Sequence, residues 1–148
     1  MRITENTTVQ EVLDVFKDNG RLLFPIDRPI SNHMTLKELS SSQVYLWYSY
    51  IDVYKTIEVI ETLKKQTSSI FYPIYTEEEM LKDPSKRNTG LYFFKGKEYA
   101  PYAICNAGGG FMYVGAMHDS FPHALEISKR GYNAFALIYR VDHPYRDL

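Results

Sequence analysis

The chain is 148 residues long, 45% hydrophobic and 24% charged, with a formal net charge of −1. That is enough for one domain with a real core, and it lacks the basic balance that nucleic acid or an anionic membrane asks of a partner. The single cysteine, Cys105, cannot close an internal disulfide, RITENTTVQE at the start has no apolar signal core, and no apolar run approaches the ~20 residues of a membrane helix, so the expectation is a cytoplasmic protein.

In TTVQEVLDVFKDNG, Val9, Val12, Leu13 and Phe16 recur on one face of a helix. Thr8 and Glu11 have the spacing of a capping box, and Gly20 stands where such a helix commonly stops. Pro25 and Pro29 keep 21–34 irregular. TLKELS, with Thr35 and Glu38 in the same spacing, predicts a single helical turn. DVYKTIEVIETLKKQT is the clearest helix: Asp52 caps it, Val53, Ile57, Ile60 and Leu63 form the stripe to be buried, and Lys64 and Lys65 suit the negative end of the helix dipole. Residues 1–67 therefore read as a helical extension without a catalytic motif, and 68–148 as a segment of different character.

SSIFYPIYT is short and β-rich, and Pro73 restricts it to an edge or bulged strand. TEEEMLKDP carries a third capping pattern, Thr76 with Glu79, and is stopped by Pro84. TGLYFFKG is a strand ended by Gly96. APYAICNA is nearly continuous in apolar character, the pattern of a strand buried in a parallel sheet. HDSFPHALEISKRG predicts a helix with Phe121, Leu125 and Ile127 or Ser128 on one side, stopped by Gly131, and YNAFALIYRV a further buried strand. Strand, glycine loop, helix, strand over 101–141 predicts an α/β fold with a right-handed crossover and a largely parallel sheet. Thirteen tyrosines and eight phenylalanines are explained first by core and sheet, and second by an aromatic-lined ligand site.

Three of only eight glycines stand together at Gly108, Gly109 and Gly110 in AICNAGGGFMYVG. A dinucleotide loop, G-x-G-x-x-G, fails because Tyr113 occupies the third glycine position. A phosphate loop fails because Ala116 and Met117 follow Gly115, where lysine and a hydroxyl residue are needed. Two readings stay level on the run alone. One is a sharp strand-to-helix turn. The other is an oxyanion hole, in which backbone N–H groups of residues without a Cβ stabilise the charge that a carbonyl oxygen gains during ester hydrolysis.

The stretches FYPIYTEEE, DPSKRNTGLYFFKGKEYAPYAICNAGGGF and YVGAMHDSFPHALEISKRGYNAFALIYR, and more loosely GRLLFPIDRPI, resemble the amino-terminal portion of a bacterial α/β-hydrolase of the esterase/lipase kind with a long helical extension. The resemblance implies a partial hydrolase sheet: the first four strands, mostly parallel, near 69–75, 90–95, 101–106 and 133–140, in the order 1-2-4-3. It implies a helix near 119–130 and an oxyanion loop at Gly108, Gly109 and Gly110, with Gly109 and Gly110 as the donors. Phe111, Met112, Tyr113 and His118 would lie at or line the site. The substrate would be a small ester, and no cofactor or metal is implied. Many relatives have histidine where Ala107 stands here.

No Gly-x-Ser-x-Gly occurs in the sequence, and the family's nucleophile, acid and histidine all belong to segments beyond the match, so no catalytic residue is assigned. Ser120, His118 and Asp119 are neighbours that cannot all converge, and Asp119 or Ser120 more simply caps the helix. His123 reads as structural or exposed, the adjacent Asp142 and His143 as tail, and Cys105 as a small hydrophobe in a buried strand. Two functions are expected: an esterase-type protein inactive alone, or a non-catalytic module acting in protein association. An unpaired edge at the strand of Cys105 would favour self-association or a complementing chain.

Overall fold

Three capping boxes set the helical starts in the computed structural model, which describes residues 1–41 and 51–141. Helix α1 spans Val9–Phe16, α2 Leu36–Ser41, α3 Val53–Lys65 and α4 Glu77–Lys82. At α1, Thr8 Oγ1 accepts from Glu11 N–H while Glu11 accepts from Thr8 N–H (2.8 Å). Thr35 with Glu38 and Thr76 with Glu79 repeat the exchange. Asp52 caps α3 by accepting from Tyr54 and Lys55 N–H. The regular helix α1 stops at Phe16, and a 3₁₀ turn, Lys17–Gly20, carries the chain to the expected stop.

The face α3 buries is rotated from the expected stripe. Thr56, Val59, Ile60 and Leu63 are buried, while Val53 and Ile57 are only half-buried at its margin. The helix lies between two surfaces, α1 and α2 on one side and α5 (Ser120–Lys129) on the other. The face between those contacts is wider than one 3.6-period row predicts.

Strands β1 (Phe71–Tyr72), β2 (Gly90–Phe94), β3 (Tyr102–Asn106) and β4 (Asn133–Ile138) form a sheet in the order β1-β2-β4-β3. That order coincides with the one the hydrolase resemblance implies. The expectation of a mostly parallel sheet does not hold. Only β3 and β4 run parallel; β1 against β2 and β2 against β4 are antiparallel. The cause lies in the connections. β3 and β4 are joined through α5, the crossover a parallel pair requires, whereas the short link 95–101 reverses the chain after β2, and the link 73–89, though it holds α4, returns the chain antiparallel to β1. Pro73 follows directly on β1, which is an edge strand as expected, though far shorter than 69–75.

β3 corrects the reading of its apolar pattern but not of its place. It lies at the other edge of the sheet, where the implied order 1-2-4-3 puts it, and is not buried on both sides: Tyr102 is 70% and Ile104 54% exposed, and Cys105 half-buried. An apolar run reads alike in a central strand and in an edge strand whose second face is uncovered.

The sheet's two faces differ. Tyr92, Phe94, Ala134, Ala136 and Ile138 are buried beneath α5, where Phe121 meets Tyr92 edge-on (5.2 Å between ring centroids) and Phe94 at 5.8 Å. α3 packs outside α5, and Lys55, Glu58, Glu126 and Lys129 link the two helices at their rim. The opposite face carries an aromatic ladder across all four strands. Tyr72 meets Phe93 (6.2 Å), Phe93 stacks on Phe135 (4.8 Å), and Phe135 meets Tyr102 (6.0 Å).

One hydrophobic core takes residues from both halves of the chain: Ile3, Val12, Leu23, Leu39 and Leu63 with Tyr92, Phe121 and Ala136. Tyr92 also donates from its hydroxyl to the Asn19 carbonyl (2.7 Å), tying the sheet to the turn after α1. Segments 1–67 and 68–148 thus share their interior.

Candidate functional site

The glycine run leaves the end of β3 and is pinned at three points before α5 begins. Gly108 N–H donates to Asp119 Oδ2 (2.8 Å). The Gly108 carbonyl accepts from Gly115 N–H (3.0 Å), and the Gly109 carbonyl accepts from Met112 N–H (3.1 Å). The last bond closes a tight turn over 109–112 whose two central residues both have positive φ, Gly110 at 60° and Phe111 at 61°. Such a turn is of the kind that glycine accommodates and a bulky residue resists. Beneath the loop, the Tyr139 hydroxyl donates to the Ala107 carbonyl (2.6 Å).

The three glycines do different work. A Cβ on Gly109 would sit 1.8 Å from the Tyr113 carbonyl oxygen, so only glycine fits there. A Cβ on Gly108 would meet nothing closer than Asp119 Oδ2 at 3.8 Å. Gly110 is favoured by its φ of 60°. Gly108 was expected among the oxyanion-loop residues, but its amide is committed to Asp119. Among the described residues, the amides of Gly109 and Gly110 donate to no protein acceptor.

Two adjacent amides, on a loop fixed by an aspartate and a tyrosine, are thus left with donating capacity.

The expected lining residues separate. Phe111 is 71% exposed at the tip of the turn. Met112 is half-buried against the core. Tyr113 turns inward, is 2% exposed, and lies under the Arg28 guanidinium (5.5 Å to the ring centroid), so it belongs to the core rather than the mouth. His118 packs against Gly115, where a Cβ would lie 2.4 Å from its Cε1. It also lines a cavity of about 160 Å³ with Asp52, Lys55, Thr56 and Met117. Burial holds its imidazole below the usual pKa, with the charge of Asp119 opposing.

Asp119 or Ser120 is the expected helix cap. Asp119 stands at the N-cap position of α5, but its side chain makes no capping bond and instead holds the glycine loop. It also approaches the exposed His123 (3.6 Å). The aspartate ahead of the helix was visible in the sequence; its preference for a donor eleven residues upstream was not.

The remaining nucleophile candidates are not activated. Ser120 is 1% exposed and its Oγ makes no hydrogen bond to a base among the described residues. Burial, with the nearby charge of Asp119, pushes the Cys105 thiol up, away from thiolate chemistry. Asp142 and His143 lie outside the described residues. Among the described residues, no group of three or more His, Cys, Asp or Glu side chains could hold a metal ion, and no helix is long and apolar enough to cross a membrane. Set beside known protein families, curated proteins and solved structures, the chain matches none of them.

Proposed function

We propose that the chain is an α/β-hydrolase-like protein of the carboxylic-ester hydrolase type, in which the glycine loop is the oxyanion cradle. The observation that carries the reading is the pair of uncommitted amides at Gly109 and Gly110, next to a Gly108 amide locked on Asp119. The strand order β1-β2-β4-β3 and the position of the loop between β3 and α5 support it. On this reading the carbonyl oxygen of a small ester would point into the turn. The Gly109 and Gly110 N–H groups would strengthen their hold as the oxygen becomes an anion. The 148 residues hold no Gly-x-Ser-x-Gly, so the chain by itself supplies stabilisation without attack.

An amide NMR titration with methylphosphonate, whose anionic tetrahedral centre stands in for the tetrahedral intermediate, tests the cradle. The Gly109 and Gly110 cross-peaks move while Gly108 stays. Shifts elsewhere only, or none, overturn it. A p-nitrophenyl acetate assay should show no turnover that a serine reagent blocks; such turnover would mean that a nucleophile is present after all.

A second reading, a non-catalytic module acting in protein association, is favoured by the open β3 edge with its two exposed apolar side chains.

A further inference from the structure

The two edges of the sheet are protected very differently. β1 is two residues long and is followed at once by Pro73, which cannot donate to a ladder. β3 has five residues, Tyr102–Asn106, with no charge, no proline and no glycine within it. The Asn133 amide donates to the Pro101 carbonyl, so the alternate residues 101, 103 and 105 turn their backbone groups toward β4. Strand geometry then points the N–H and C=O groups of Tyr102, Ile104 and Asn106 outward. These are also the three exposed residues of the strand, and Tyr102 is the terminal rung of the aromatic ladder.

We infer that this edge pairs with the β3 edge of a second copy of the chain, antiparallel about a two-fold axis through Ile104. That register sets Ile104 opposite Ile104 and Tyr102 opposite Asn106. Each facing pair is of the hydrogen-bonded kind, so all three outward N–H groups and all three outward carbonyls of each strand are satisfied. A charge-free strand meets its own copy without like-charge contact, which a partner chosen by charge would not need. The axis closes the assembly at two chains, because among the described residues the other sheet edge is the guarded β1. The two sheets become one of eight strands, with both aromatic ladders on the same face. A five-residue edge is well under the ~1,200 Å² of a standard interface, so the pairing is of the weak, concentration-dependent kind. The inference extends the association reading and does not depend on the oxyanion cradle.

Sedimentation equilibrium over a range of chain concentrations tests it, with Ile104→Lys placing two like charges on the axis. Circular dichroism checks that the variant folds. The wild-type chain passes from one-chain to two-chain mass with a plateau, and Ile104→Lys stays at one-chain mass. In a Cys105→Ala background, Ile104→Cys sets two thiols across the axis with Cα atoms about 5.5 Å apart, inside the ~4.4–6.8 Å range of disulfides. Mild oxidation then links it far faster than Leu81→Cys on the exposed face of α4. A wild-type chain at one-chain mass throughout, growth beyond two chains without a plateau, a dimer unaffected by Ile104→Lys, or equal cross-linking at both cysteines overturns the inference.

Discussion

Replacing the three glycines one at a time with alanine separates their roles. At Gly108 the new Cβ finds open space, its nearest contact being Asp119 Oδ2 at 3.8 Å. Alanine also removes conformational freedom from the unfolded chain, so Gly108→Ala should lie within about 1 kcal/mol of wild type, on either side. At Gly110 the backbone is left-handed, φ 60°, and an L side chain there costs roughly 1–2 kcal/mol. At Gly109 the Cβ would overlap the Tyr113 carbonyl oxygen at 1.8 Å. That oxygen is backbone, and Tyr113 is held in the core, so the loop and not a flexible side chain has to yield. The cost is about 3 kcal/mol, the upper end for overpacking with a backbone shift. Urea unfolding followed by tyrosine and tryptophan fluorescence reads all three, provided the m-values agree. The order of stability should be Gly108→Ala, then Gly110→Ala, then Gly109→Ala. If Gly109→Ala were as stable as Gly108→Ala, the close approach to Tyr113 would not govern the loop and the reasoning fails.

Phe111 holds a left-handed φ of 61° with 71% of its surface exposed, so Phe111→Gly should raise stability by about 0.5–1 kcal/mol; a loss would mean that the ring is held by contacts stronger than the strain. Asp119→Ala removes a charge-assisted bond to a backbone N–H, worth about 1 kcal/mol for a partly exposed carboxylate, and hydrogen exchange should quicken at Gly108; unchanged exchange there refutes the clamp. Glu61 accepts from Ile3 N–H (2.8 Å) and Lys64 Nζ (2.9 Å), which hold its carboxyl below the ordinary 4.5. Its contribution is fully present above that value and is lost as pH falls through the lowered folded one, so Glu61→Gln should flatten the acid limb of stability against pH. The His118 imidazole is depressed by burial, so the unfolded chain protonates first. Stability should fall as pH drops below 6.5, and His118→Gln should remove that slope.

The local chemistry of this fold was legible in the sequence. Thr8, Thr35 and Thr76 each cap a helix with the glutamate three residues on, because the capping box is a local exchange of two hydrogen bonds. The β3–α5–β4 unit was legible for the same reason, since a strand, a turn and an amphipathic helix suffice to specify it. What depended on distant partners was not. The buried face of α3 is set by α5, and the antiparallel sense of β2 against β4 by a pairing of strands far apart in the chain. Within the site, the glycine run marked the place, but the division of labour among its members depends on Asp119 and Tyr113. Both are near in sequence, yet neither is constrained by any periodicity.

The order β1-β2-β4-β3 also carries a history. During synthesis β3 is complete at Asn106, and β4, its one partner among the described strands, is complete at Ile138. At ~5–20 residues per second, the ribosome takes about 2–6 seconds to make the intervening chain. For that interval β3 has no neighbour in its own sheet, and β2 has only the two residues of β1. The glycine loop and α5 are built inside the same gap. The nascent sheet therefore cannot grow outward from one edge. It closes from its middle, and the last of the four strands to be made joins the other three.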